Sequence, residues 1–202
     1  MQLALPELGT PTTIAFDRRS RLSDAAYVDF CFANPDLRFE RTGQGEIVIV
    51  PPAGMESDCH GVDIGIDLGI WARQDGRGRV FGSGVQLFLP DGSALSPDCG
   101  WISWARIASV DPAELKSFPH RVPEFIVEVM SPSDRLAPAK RKMAVWMANG
   151  VELGWLIDGR HRRVHIYRQG VETRTHDNAA LLEGDGPIAG FQLDLSGIWA
   201  GL

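Results

Sequence analysis

The feature that most constrains the fold is the six-residue run Phe125–Met130 (FIVEVM), which is apolar except for one carboxylate. A nearly continuous apolar run of this length predicts a strand buried inside a sheet. Side chains alternate along a strand, so Glu128 shares its face with Ile126 and Met130. A buried charge costs several kcal/mol unless it is paired or bound to metal. Glu128 therefore marks either a functional site or the wet face of an edge strand.

Helices and further strands are predicted around this run. The predicted helices are Asp24–Ala33 with Ser23 as its cap, 57–73 with Val62, Ile66 and Ile70 four apart on one face beside Trp71, and Pro138–Asn149 ended by Gly150. The predicted strands are Leu37–Arg41, Glu46–Val50, Arg79–Gly82, Val85–Leu89, Leu95–Ser103, Leu153–Ile157 and Val164–Arg168, with short strands and a turn near Trp199 after them. This order predicts an α/β or α+β fold, in which helices flank a mixed sheet.

Length and composition narrow the class of protein. The chain has 202 residues, of which 44% are hydrophobic and 23% charged, so a disordered chain, a fibre and a coiled coil are excluded. We expect an N-terminal arm at residues 1–21 and a single domain at residues 22–202. No apolar run reaches the ~20 residues of a membrane span, and the first residues do not resemble a signal peptide. Three scattered cysteines without a CxxC pair favour reduced thiols in a cytoplasmic protein.

The charge of the chain is unevenly distributed. Its net charge is −6, which argues against a protein that coats nucleic acid non-specifically. The segment 134–168 has eight cations and three anions and is therefore +5, which leaves −11 for the rest. Any DNA contact should then be local, with Arg135, Arg162 and Arg163 as candidates. The alternative is that this segment is an ordinary solvated surface.

Asp98 and Lys142 are the candidate partners of Glu128. Asp98 follows Ser96-Pro97, where proline removes a strand donor. Alone it is a turn residue, but beside Glu128 it would complete a pair of hard oxygen ligands that suits Mg²⁺. Lys142 is one of three lysines against seventeen arginines, and a compact ammonium can contact a water or a scissile phosphate. The alternative is a lysine on a solvated helix face.

Helix geometry separates Lys142 from Lys140. The two lysines lie about 200° apart around the helix axis, so only one of them can face Glu128. Trp146 follows Lys142 by four residues and shares its face, which should be turned inward. We therefore expect the Lys142 ammonium within about 6 Å of the Glu128 carboxylate, with its stem packed along the core.

Several of these residues occur in motifs that resemble a known family. Residues 123–133 (PEFIVEVMSPS), Lys142 and residues 149–158 (NGVELGWLID) are similar to the Uma-type family of bacterial proteins, to which a restriction-endonuclease activity has been ascribed. The Ser96-Pro97-Asp98 step, the late strand Arg163–Arg168 and His60-Gly61 agree with it. The resemblance covers about residues 22–202 and places the chain in the PD-(D/E)XK nuclease superfamily. It implies a restriction-endonuclease-like mixed β-sheet flanked by helices and Mg²⁺- or Mn²⁺-dependent hydrolysis of DNA.

The resemblance assigns roles to the three candidate residues. Asp98, Glu128 and Lys142 would be catalytic, and Asp98 and Glu128 would hold the metal. The superfamily motif has its lysine two residues after the acid, but Met130 stands there, so the lysine is expected from the following helix. Two other departures, Pro138 where relatives often carry an acid and an apparent one-residue lengthening at Gln44-Gly45, do not touch these residues.

Two further residues are candidates for supporting roles at the site, and one histidine pair is excluded as a zinc site. His60 could face the site from the long helix or could be exposed at the helix start. Glu46 could supply an auxiliary carboxylate, although an ordinary strand residue is the preferred interpretation. His161 and His165 would share a strand face, but four residues at 3.3 Å each put them ~13 Å apart, too far for one zinc ion.

Three functions are compatible with the sequence. The first is a metal-dependent endonuclease, which could act as a homodimer because nucleases that cut both strands often pair symmetrically. The second is a non-catalytic protein of the same fold that binds nucleic acid or protein, which the net charge of −6 favours. The third is a metal-dependent hydrolase of a smaller phosphoester, which needs less basic surface.

Overall fold

The computed structural model describes residues 12–14 and 21–201. The strands in this part of the chain are β1 (Thr12–Ile14), β2 (Arg38–Arg41), β3 (Ile47–Val50), β4 (Gly78–Gly82), β5 (Leu87–Phe88), β6 (Ala94–Leu95), β7 (Cys99–Ser103), β8 (Phe125–Met130), β9 (Leu153–Asp158), β10 (Arg163–Arg168), β11 (Val171–Asp177), β12 (Leu181–Glu183) and β13 (Gln192–Asp194). The α-helices are α1 (Asp24–Phe32), α2 (Met55–Asp75), α3 (Trp104–Ala108), α4 (Leu136–Ala148) and α5 (Ser196–Ala200). Most of the predicted arm, residues 1–11 and 15–20, lies outside the described residues, as does Leu202. The predicted domain extent, residues 22–202, stays a prediction.

These residues form two compact units. The first contains the described residues up to 52 together with 86–96 and 110–121. Its antiparallel sheet has the order β1-β3-β2-β6-β5. The side chains of Tyr27, Phe30, Phe39, Ile47 and Phe88 form its core with their neighbours. Ser23 caps α1 as predicted, because its hydroxyl accepts a 3.2 Å hydrogen bond from the Ala26 amide.

The second unit contains residues 53–85, 97–109 and 122–201. Its six-stranded sheet has the order β11-β10-β9-β8-β7-β4. Strands β8 and β9 are parallel and the other pairs are antiparallel, so the sheet is mixed as predicted. The connection between β8 and β9 contains α4, which is the crossover that parallel neighbours require. The FIVEVM run therefore lies in the interior of the sheet.

The two faces of this sheet have different neighbours. On one face, side chains such as Phe125, Val127 and Trp155 pack against Ile64 and Leu68 of α2. The opposite face meets α4: a Cβ built on Gly154 would lie 2.6 Å from the Met143 methyl group, so a larger residue there would have to displace the Met143 side chain. Glu128 lies on the α4 face, as the alternation along β8 predicts.

The helix predicted at 57–73 exists, but its predicted inward face is wrong. Val62, Ile66 and Ile70 are about half exposed, whereas Ile64, Leu68 and Ala72 are buried. The helix carries two apolar rows with four-residue spacing, and periodicity alone does not show which row meets the sheet. The row that includes Ile64 is the one that packs against the core of the second unit.

Other predicted boundaries also change. The strand predicted at Leu95–Ser103 is two strands, β6 and β7, interrupted at Ser96-Pro97-Asp98 because proline has no amide to donate. Helix α4 starts two residues earlier than predicted, with Pro138 in its first turn, where amides lack an intrahelical partner in any case. The short strands predicted after Arg168 had no bounds, and β11 could not be delimited because its sequence, VETRTHD, is exposed along its length and has no apolar face. No helix among the described residues is long and apolar enough to cross a membrane.

Candidate functional site

Glu128 lies in the interior of the six-stranded sheet. Strand β7 flanks β8 on one side and β9 on the other, so the edge-strand alternative is wrong. Only 9% of Glu128 is exposed. Its cross-strand neighbour is Leu156, whose own neighbour on β10 is His165, and these side chains share the α4 face. A carboxylate in this position needs partners that offset its desolvation.

Asp98 lies directly before β7 and contacts the backbone around Glu128. Its amide donates a 3.1 Å hydrogen bond to the Val127 carbonyl. One carboxylate oxygen, Oδ2, accepts a 2.6 Å hydrogen bond from the Val129 amide. Asp98 is thereby held to the two residues on either side of Glu128 along β8. The proline step that interrupts the strand leaves this carboxylate bonded to the β8 backbone next to Glu128.

Helix α4 supplies two donors to Glu128. The Lys142 ammonium lies 3.0 Å from Oε1 and 3.1 Å from Oε2, inside the distance predicted from helix geometry. Its side chain is 27% exposed, while Lys140 is exposed. The indole of fully buried Trp146 donates a 2.8 Å hydrogen bond from Nε1 to Oε1 of Glu128. Sequence reasoning used Trp146 only to orient the helix and missed this hydrogen bond.

The pKa of the Cys99 thiol is affected by the charges of Asp98 and Glu128. Burial raises the pKa of its thiol well above its usual range, and the negative charges of Asp98 and Glu128 raise this pKa further. The thiol therefore stays protonated near neutral pH. Cys99 itself faces the core on the opposite side of the sheet, against residues such as Trp101 and Val127.

The donor set fits a hard divalent cation that also takes ligands from elsewhere. Asp98 and Glu128 present carboxylate oxygens, the hard ligand type that Mg²⁺ prefers, and one carboxylate can accept several contacts. Within residues 12–14 and 21–201, no group of three or more His, Cys, Asp or Glu side chains could hold a metal ion. Mg²⁺ commonly binds one or two carboxylates and completes its shell with water and substrate phosphate. Asp98 and Glu128 could hold such an ion.

The two auxiliary candidates have different surroundings. His60 lies on the inner face of α2 and is 7% exposed, so the alternative of an exposed residue at the helix start is wrong. Among the described residues, its Nε2 atom has no hydrogen-bond partner. Glu46 belongs to the first unit, where it accepts a 3.4 Å hydrogen bond from the Thr42 hydroxyl across the turn before β3. This hydrogen bond gives the Glu46 carboxylate a structural partner within its own hairpin.

The remaining histidine pair binds separate partners. His161 Nδ1 lies 2.8 Å from Oδ2 of Asp158, and His165 Nδ1 lies 2.9 Å from the Thr175 hydroxyl. Burial lowers the pKa of His165, and the nearby charges of Lys140 and Arg163 lower it further. A largely neutral imidazole is therefore expected at this position on the α4 face.

The three arginines proposed to contact DNA are not equivalent. Arg135 is exposed and occupies the N-cap position of α4. Arg162 is exposed in the turn before β10. Arg163 is paired with Asp177 at 2.5 Å on the surface of the sheet, and this hydrogen bond raises the pKa of its guanidinium. The charge of Arg163 is therefore offset locally. Arg162 donates a 3.3 Å hydrogen bond from Nη2 to the Trp199 carbonyl but, like Arg135, remains exposed.

A mixed sheet covered by α2 on one face and α4 on the other, with Glu128 on β8 and Asp98 directly before the adjacent β7, defines a restriction-endonuclease-like fold. Residues 24–196 match the Uma2 family, whose description is "Putative restriction endonuclease", and the chain belongs to this family. The structure is similar to that of a "putative nuclease belonging to DUF820" from Anabaena variabilis ATCC 29413, with a TM-score of 0.69 and 19% identity. The match covers 86% of this chain and 97% of that one. No curated protein matches the chain.

Proposed function

We propose that this protein is an endonuclease that hydrolyses phosphodiester bonds of DNA with Mg²⁺ or Mn²⁺. The observation that carries the proposal is the contact of Lys142 with both carboxylate oxygens of the buried Glu128, at 3.0 and 3.1 Å. A purely structural ion pair gains little over well-packed apolar side chains in such a position. Membership in the Uma2 family and the nuclease-like fold support the same conclusion.

Each of the three residues has a distinct role in the proposal. Asp98 and Glu128 would hold the metal ion, which would polarise a phosphoryl oxygen and lower the pKa of a bound water. Lys142 has three N–H donors, so its ammonium can contact Glu128 and also a substrate phosphate oxygen or the attacking water. Trp146 fixes the orientation of the Glu128 carboxylate. In the reaction, the water oxygen bonds to phosphorus while the bond to the leaving sugar oxygen breaks.

The same proposal includes the DNA-contacting residues, the domain extent, the oligomeric state and the cellular compartment. DNA contacts the exposed arginines at positions 135 and 162, with a smaller contribution from Arg163. The nuclease domain spans residues 22–202, acts as a homodimer and works in the cytoplasm. The three unpaired cysteines, Cys31, Cys59 and Cys99, support a reducing compartment.

Cleavage of supercoiled plasmid DNA tests the proposal. Nicked and linear products are expected with Mg²⁺ or Mn²⁺ and none with a chelator, and Asp98→Ala and Glu128→Gln should abolish them. Glu172→Gln, at an exposed position on β11, is the matched control and should cleave normally. In calorimetry, Mn²⁺ should bind the parent chain but not Asp98→Ala. Cleavage that survives both substitutions would place the site elsewhere.

The second candidate is a non-catalytic binding protein of the same fold. The net charge of −6 favours it, because a chain that binds DNA by backbone charge alone is usually basic. The plasmid assay separates the two. A chain that binds Mn²⁺ through Asp98 but yields no product under any metal condition would support binding without catalysis.

A further inference from the structure

Helix α2 carries an exposed apolar row formed by Met55, Val62, Ile66 and Ile70, which we name the α2 row. These side chains are 48–79% exposed, although the same helix buries Ile64 and Leu68. We propose that a second copy of this chain packs its own α2 antiparallel against the α2 row, about a two-fold axis near Ile66. This inference rests on the homodimer included in the proposed function, but it does not depend on DNA cleavage.

A row of glycines runs beside the α2 row. Gly61, Gly65 and Gly69 each precede one of its apolar residues, and a Cβ built on any of the three would have nothing within 4 Å. Alanine would therefore fit at all three positions of the single chain, and it stabilises a helix interior more than glycine does. Small residues four apart let two helix backbones approach closely. The glycine row therefore supports a helix as the partner.

The charges at the two ends of α2 favour an antiparallel second copy. Asp58 and Arg73 are exposed, and neither has an ion-pair partner among the described residues. With Ile66 on the two-fold axis, Val62 faces Ile70 of the other copy, and Arg73 lies across from residues 58 and 59 of the other copy. Each dimer then contains the Asp58–Arg73 pair twice. A parallel arrangement would instead put Asp58 against Asp58 and align the two helix dipoles unfavourably.

The acidic residues of α2 also agree with this arrangement. At 100° per residue, Asp63 and Asp67 lie 60° and 100° from Ile66, on the side opposite Gly65 and Gly69. With Ile66 at the crossing point, both carboxylates lie at the edge of the contact and stay in water. The interface is then apolar at its centre, with a charged pair at each end and a polar rim.

Sedimentation velocity without DNA tests the proposal directly. The parent chain should be a dimer at about 100 μM, and Ile66→Lys should raise the dissociation constant at least about tenfold. Ile66 is half exposed in the single chain, so this variant should fold normally. Val171→Lys, with 53% exposure on β11, is the matched control and should dimerise like the parent. A monomeric parent, or a dimer unaffected by Ile66→Lys, would overturn the proposal.

Charge exchange and cross-linking test the antiparallel geometry. Asp58→Arg and Arg73→Asp should each weaken the dimer, and the double variant should recover it. Ile66→Cys should form a disulfide between copies under mild oxidation. The parent should not, because two Cys59 residues on opposite sides of the axis are about 21 Å apart. No recovery in the double variant, together with no cross-link at position 66, would exclude this arrangement even in a chain that cleaves DNA.

Glycine substitution separates an interface role from a structural one. Gly65→Ala should raise the urea midpoint of unfolding at concentrations where the chain is monomeric, because alanine favours a helix over glycine. The same variant should weaken dimerisation, since the added methyl groups keep the two backbones apart. A variant that gains stability and dimerises as tightly as the parent would contradict close packing at this glycine.

Discussion

The indole Nε1 of Trp146 donates a 2.8 Å hydrogen bond to Oε1 of Glu128, and both side chains are buried between α4 and β8. The Glu128 carboxylate thus accepts hydrogen bonds from both the neutral Trp146 indole and the Lys142 ammonium. The indole stabilises the ionised carboxylate and limits its rotation without adding charge to the site. This contact ties the orientation of Glu128 to the packing of α4.

Replacing Trp146 by Phe should loosen Glu128 while the aromatic packing is largely kept. We expect Mn²⁺ affinity to fall by about 10- to 100-fold, as for other residues that orient metal ligands. Loss of a hydrogen bond to a charged group should also lower the free energy of unfolding by about 1.5–3 kcal/mol. Calorimetry and urea unfolding measure the two effects. Trp155→Phe, equally buried but on the opposite sheet face, should lower stability and leave Mn²⁺ affinity unchanged.

Lys142→Ala should cost far more activity than Lys140→Ala. Lys142 contacts both oxygens of Glu128, whereas Lys140 is exposed on the same helix. We expect at least about a 100-fold loss in plasmid cleavage for Lys142→Ala, with circular dichroism confirming a folded chain, and less than a twofold loss for Lys140→Ala. Equal losses for the two variants would mean that contact with Glu128 does not matter for catalysis.

DNA affinity should depend on salt through the exposed arginines. Each phosphate contact adds about 0.9 to the slope of log affinity against log salt. Arg162→Ala should therefore reduce the slope by close to one, and Arg163→Ala by less, because Asp177 already offsets its charge. Fluorescence anisotropy from 50 to 200 mM salt measures the slope. Arg79→Ala on β4, at the other edge of the six-stranded sheet, is the control, and a decrease there would move the DNA to that edge.

The stability of the first unit should depend on pH through His120. Its ring lies 2.9 Å from Asp24 and 3.1 Å from Glu114, and the hydrogen bond to Asp24 is the main cause that raises the pKa of His120. A raised pKa stabilises the folded chain below the ordinary histidine pKa of about 6.5, and this contribution is lost as pH rises through the folded-state pKa.

His120→Gln should therefore lower the free energy of unfolding at pH 5.5–6 and have little effect at pH 8.5. The difference should stay below about 1 kcal/mol, because these side chains are about half exposed. Urea unfolding at the two pH values measures it. His176→Gln, on exposed β11, should show no such difference, and a larger effect of His120→Gln at high pH would reverse the assignment.

The local chemistry of the sequence was enough to predict the contact between Lys142 and Glu128. An apolar run with one carboxylate predicted β8 and drew attention to Glu128, and helix geometry distinguished Lys142 from Lys140 without any coordinates. These features are short-range: they depend on alternation along one strand and on angles around one helix. Residues whose role follows from such periodicities can be predicted from the sequence.

The tertiary structure decided which surfaces meet. Only packing shows that α2 buries the row with Ile64 and leaves Val62, Ile66 and Ile70 exposed, since both rows have the same spacing. Only packing brings the Trp146 indole to Glu128, because a tryptophan on an inward face satisfies the pattern whether or not its N–H finds a carboxylate. A sequence specifies the period of each element, but the free energy of burial depends on which elements pack together, and that is a property of the whole fold.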